Sequence, residues 1–225
     1  MKTSRIILFV CSLEVLISVF VKIPYLSTSL FRIIALIAAY AMIKLSAYLW
    51  ERKIEKYQTE IIVDGIQVYQ LPYKFLKSHN VMVFKGKNYN IVVEDEVMNS
   101  LDSEELMAVL YHEVGHTHTV SKEQIIAITL VALFFNSQGL FDLIYNDTGA
   151  IYLLIGICLF ILSELLKRYI EYSADKYAIN CGCNKETLIS SIEKIEKLNS
   201  NSKIVISDHP RTDKRYRNLS NLTKK

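Results

Sequence analysis

Glycine and proline are scarce, at 7 and 3 of 225 residues, which leaves no room for a long flexible linker. An excess of one charge is missing too. Lys+Arg number 26 against 23 Asp+Glu, a formal net charge of +3. That is too small to argue for a nucleic-acid surface. The basic residues sit beside apolar segments and in the tail, as the positive-inside rule would have them. Cysteine is limited to four residues. Cys11 and Cys158 lie inside apolar runs and read as small hydrophobes. Cys181 and Cys183 flank Gly182 as CGC, which is not the two-residue spacing of zinc knuckles or redox motifs. Nothing demands an oxidising compartment. Histidine is scarce as well, with five in the chain, so a regularly spaced pair carries weight.

Apolar blocks alternate with charged stretches, giving 51% hydrophobic and 22% charged residues. Residues 6–21 form the first block, preceded by Lys2 and Arg5. A charged start and an apolar centre also fit a signal peptide. No small-x-small cleavage site follows, and a second block comes at once, so a retained helix is expected. Glu14 lies inside this block, where a charge should face another helix or a cavity. The second block, 29–50, is long enough to span, with Arg32 and Lys44 able to snorkel and Tyr48 and Trp50 suited to an interface. Residues 125–135 are apolar but short, and reach spanning length only if the helix continues to about Tyr145. Residues 149–166 form the fourth block. Lys and Arg fall before block one, after block two and after block four, and are absent between blocks three and four. This places both termini, and the polar regions 51–122 and 167–225, on the cytoplasmic side of a multi-pass cell-membrane protein. Four regions are expected: a helix pair (1–50), strands with a motif helix (51–122), a second pair (123–166), and a helix with the tail (167–225).

Asp64-Gly65 between β-rich runs marks a hairpin over 59–71, and residues 81–84 and 89–94 are two further strand candidates. A helix should start at Asp102, with Glu105 as its capping-box partner, and bury Leu106, Val109 and Leu110.

That helix carries His112-Glu-Val-Gly-His116. Positions i and i+4 share a helix face, so two imidazoles can meet one metal ion, with Glu113 placed to act on a water there. A hydrolytic zinc needs three protein ligands and an open position. Glu171 is the best candidate for the third. Asp175, one turn on, can orient a ligand imidazole. Glu164 is a rival in the apolar block, and His118 points elsewhere. In the tail, His209 and Arg215 could donate to the oxyanion formed when water attacks a carbonyl. Read by itself, the tail is a basic, solvated segment.

The set HEVGH at 112–116, EYSAD at 171–175 and HPRTDKR at 209–215, with apolar pairs before and between, resembles the integral-membrane zinc metallopeptidases of the HtpX type, relatives of the CAAX prenyl endopeptidases. The resemblance implies an α+β fold: a mainly helical, gluzincin-like core with a small β-sheet and about four transmembrane helices. It implies one Zn2+ per chain on His112, His116 and Glu171, with Glu113 as base, Asp175 behind the ligands, and catalytic parts for His209 and Arg215. NVMVFKG at 80–86 is similar to the family's substrate-binding edge strand, but is one residue longer and lacks the Ala after the Asn. The reading is a zinc endopeptidase acting on membrane or misfolded proteins at a cytoplasm-facing site. Its partners are a protein or peptide substrate and the lipid bilayer, with no nucleic acid. Two alternatives remain: maturation of one specific peptide or prenylated substrate, and a non-catalytic zinc-binding membrane protein.

Overall fold

Asp64 and Gly65 both take positive φ, 48° and 77°. A two-residue hairpin turn of this kind requires such a pair. They join β1 (Gln58–Val63) to antiparallel β2 (Ile66–Leu71). The structure, a computed structural model, describes residues 25–76, 78–119, 122–145, 149–200 and 212–222. The first apolar block with Cys11 and Glu14, and His209 in the tail, lie outside the described residues.

β3 (Val81–Lys85) and β4 (Tyr89–Glu94) form a second antiparallel pair at the expected place. β4 also runs parallel to β2, so the sheet order is β1-β2-β4-β3 and β3 is an edge strand. Its register decides which main-chain groups are available. Glu94 donates its N–H to the Asn80 carbonyl at 3.1 Å, and Gly86 donates to Asn88 at 3.0 Å. Between them Met82 pairs with Val92 and Phe84 with Asn90. The even-numbered residues therefore bond to β4. By alternation the N–H and C=O groups of Val81, Val83 and Lys85 face the open edge.

One sheet face packs Val81, Val83, Ile91 and Val93 against Val97, Val109, Leu110 and Val114. The other face gathers Tyr69, Leu71, Met82, Phe84 and Val92 around Ile54 and Trp50. Those last two end the 30-residue helix α1 (Tyr25–Ile54). A short α2 (Tyr73–Leu76) follows β2. α3 (Asp95–Ser100) follows β4, with Glu94 capping it through the Val97 N–H. The motif helix α4 (Ser103–Gly115) starts where the sequence placed it. Asp102 accepts from Glu105 N at 2.9 Å, and Glu105 accepts from Asp102 N at 3.1 Å.

The chain divides into two units, Met1–Ser46 with Lys122–Leu166, and Ala47–Ser121 with Lys167–Lys225. The first contains α5 (Lys122–Tyr145) and the apolar part of α6 (Gly149–Asn180). α5 runs unbroken through the polar residues 136–139 to Tyr145. Asn136 satisfies its own amide on the Ala132 carbonyl at 2.9 Å and so does not disturb the helix. Gly156 of α6 lies against Asn136; a Cβ there would sit 2.7 Å from its Cγ. Ile151, Leu154, Ile157, Phe160, Ile161 and Leu165 are exposed along α6. Among the described residues, α6 is long and apolar enough to cross a membrane.

The fourth apolar block and the segment carrying Glu171 form one continuous helix, α6, of 32 residues. It ends in a turn at Gly182 (φ 91°), where Cys183 donates back to Ala178 at 3.2 Å. In the second unit α7 (Lys185–Ser200) and α8 (Thr212–Leu222) follow, and Leu188, Ile189 and Leu219 pack with Ala108 and Ala178.

Candidate metal centre

His112 lies in the last turn of α4 and His116 directly after it, at the start of the 3-10 turn His116–His118; both are buried, with ring centroids 4.7 Å apart and planes at 84°. The glycine between them matters for the next contact. A Cβ at Gly115 would sit 2.7 Å from the Ala174 Cα. Only the bare glycine lets α4 and α6 close to this distance. The approach brings Glu171 up to the imidazoles: His112 Nε2 lies 3.5 Å from Glu171 Oε2, and His116 Nε2 lies 3.6 Å from Oε1. These separations are long for hydrogen bonds. They are close to the edge of a coordination tetrahedron, since ligands about 2.0–2.1 Å from a zinc stand roughly 3.3–3.4 Å apart. Glu113 joins the cluster: one ligand atom from each of His112, Glu113 and His116 lies within 4.8 Å of the others. Two neutral-imidazole nitrogens and a carboxylate are the donor types a hydrolytic zinc takes, so the residues fit the metal.

Behind His112 the network continues. Its Nδ1 lies 2.9 Å from Asp175 Oδ1, which holds a proton on Nδ1 and leaves Nε2 on the side of Glu171. Arg215 of α8 donates through Nε to Asp175 Oδ2 at 3.0 Å and through Nη2 to Oδ1. Its Nη2 also stands 3.3 Å from His112 Nδ1, an approach of two donors sharing one carboxylate. Burial pushes the His112 imidazolium toward losing its proton, but Asp175 and Glu171 outweigh this and hold its pKa up at about 9. Burial likewise disfavours the Asp175 carboxylate, and His112 and Arg215 overcome it, holding Asp175 down at about 2.

The base candidate has a partner that the sequence does not announce. Val83 N–H, on the open edge of β3, donates to Glu113 Oε2 at 2.8 Å within a buried environment. Strand and motif are 30 residues apart in sequence, and no local pattern links them. His118 stacks on Tyr177 at 4.8 Å and is exposed, away from the cluster. Glu164 lies two turns before Glu171, in the other unit. Arg215 is buried rather than solvated, so the tail read by itself as a basic solvated segment is, around α8, part of the packed core.

The profile of peptidase family M48 matches residues 48–223. The chain belongs to this family. The resemblance drawn from the three motifs holds at the level of the M48 family. The "CAAX prenyl protease 1 homolog" of Dictyostelium discoideum is 31% identical over 113 residues, covering 41% of this M48 chain and 26% of that protein. The chain thus spans about a quarter of that relative's length. A crystal structure of S. mikatae Ste24p aligns over 96% of this chain and 62% of that one, at TM-score 0.47 and 18% identity.

Proposed function

We propose that this M48 chain is a membrane-bound zinc endopeptidase whose site faces the cytoplasm. The observation that carries the reading is the spacing of His112, His116 and Glu171 where the end of α4 packs closely on α6, with Glu113 beside them. His112, His116 and Glu171 hold one zinc. When bound, the zinc supplies a Lewis acid that polarises the scissile carbonyl and lowers the pKa of water. Glu113 takes the proton of the attacking water and passes it to the leaving amine. Asp175 and Arg215 act through His112, keeping its proton on Nδ1. Arg215's bonds to Asp175 support this positioning part over a direct contact with the oxyanion. For His209 the oxyanion part stays a proposal from the resemblance.

An extended substrate adds a strand to the open edge of β3, and the main-chain groups of Val81 and Lys85 receive it. The Val83 bond to Glu113 supports this, because it sets the edge directly beside the base. Four spanning helices, with both termini cytoplasmic, follow from the distribution of Lys and Arg along the chain. The exposed apolar face of α6 supports at least that span. Cleavage of a prenylated substrate is the second reading, favoured by the likeness to the Dictyostelium CAAX prenyl protease 1 homolog.

The test is cleavage of a loosely folded protein by the detergent-purified chain with zinc, wild type beside Glu113→Gln. Cleavage by the wild type alone is expected. Equal rates from both would remove Glu113 as the base, and no cleavage by a zinc-loaded wild type would favour the non-catalytic alternative.

A further inference from the structure

We infer that Lys85 is a specificity residue that selects an acidic side chain in the substrate, two positions along from the substrate residue that lies beside Glu113. The inference rests on the endopeptidase reading and deepens it. Side chains alternate along β3, so Val81, Val83 and Lys85 share one face. Val81 and Val83 pack in the cluster that includes Val109, Leu110 and Val114 of the motif helix. Lys85 is on that same face. Its cross-strand partner Tyr89 packs against the same cluster, and Lys85 Nζ lies 4.9 Å from the Tyr89 ring centroid. Among the described residues Lys85 is exposed and forms no ion pair, so its charge is available to a strand added at the edge.

The register makes the placement definite. Val83 and Lys85 both turn their main-chain groups to the open edge. A substrate residue directly opposite either one presents its side chain on the same face. The residue opposite Val83 lies against Glu113, and the residue opposite Lys85 is two positions away from it. The end of the strand is held rigidly. Glu51 accepts from Lys87 N at 2.6 Å, from Asn88 N at 3.4 Å and from Asn90 Nδ2 at 3.0 Å. Gly86 leaves room for that carboxylate, which a Cβ would strike. The backbone of Lys85 therefore ends the strand beside a fixed turn, and across the added strand its ammonium attracts an opposite charge and repels a like one. An edge-strand lysine can also serve only to block pairing with other chains. The experiment separates the two.

The detergent-purified full chain, loaded with zinc, is given peptide pairs that differ by Glu or Lys at one position, scanned across the cleaved bond. We expect one position at which wild type prefers Glu by roughly three- to tenfold in kcat/KM. Lys85→Ala should flatten that preference and Lys85→Glu invert it, at that position alone, with the thermal midpoint unchanged. A preference that is absent in the wild type, or identical in Lys85→Glu, overturns the inference while leaving the endopeptidase reading intact. If no peptide is cleaved by zinc-loaded wild type, both fall together.

Discussion

The two sides of the site are built on opposite terms. On the metal side every group is enclosed and held by others: His112, His116, Glu171, Asp175 and Arg215 are all buried. Each has a partner fixed by a different helix. On the substrate side, β3 offers an open edge with alternate main-chain groups unused by the sheet. The first arrangement suits ligands that must not move. The second suits a surface that must accept a chain it has not met. Glu113 is the joint between them, lying in the metal cluster while holding Val83 N–H.

The largest expected effect therefore lies at the joint. Glu113→Gln should keep zinc and lose about a hundred- to ten-thousand-fold in turnover. Metal content and cleavage rate on the same samples check this, and loss of zinc as well would place Glu113 among the ligands. On the closed side, Asp175→Asn should lower zinc affinity by about ten- to a hundredfold, read by competition with a chelator. The pH dependence sharpens that point. A His112 pKa raised to about 9 from 6.5 means that protons compete with the metal up to about pH 9. Zinc affinity should keep rising with pH through 7 and 8 in wild type, and level off nearer neutrality in Asp175→Asn. Equal pH profiles would show that the carboxylate does not hold the imidazole's proton. On the open side, Glu51→Ala should loosen the 86–88 turn and raise KM several-fold with little change in kcat, since strand pairing is felt equally in the ground and transition states. A fall in kcat with constant KM would make Glu51 a support of the metal side instead.

How legible each side was follows from how local its causes are. Asp64-Gly65, the Asp102–Glu105 capping box and the i, i+4 histidines are short-range devices, and each can be read from neighbouring residues. Glu171 and Asp175 could be marked as a pair sharing a helix face. What brings them to His112 is Gly115 against Ala174, a contact 59 residues apart in the sequence, and nothing in HEVGH announces it. The edge position of β3 depends on the parallel pairing of β2 with β4, which no strand pattern specifies. Helix α7 has a readable stripe, Leu188, Ile192 and Ile195. Helix α8 had almost none: Leu219 and Arg215 are its buried side chains among the described residues, and an arginine buried on a carboxylate looks in sequence like any basic residue.

The most direct test of the account is zinc stoichiometry and X-ray absorption on the detergent-purified full chain, wild type beside Glu171→Ala. The account predicts one zinc in the wild type, coordinated by two imidazoles and oxygen, and loss of that zinc in the variant. Unchanged zinc in Glu171→Ala, or sulfur in the coordination shell, would contradict it.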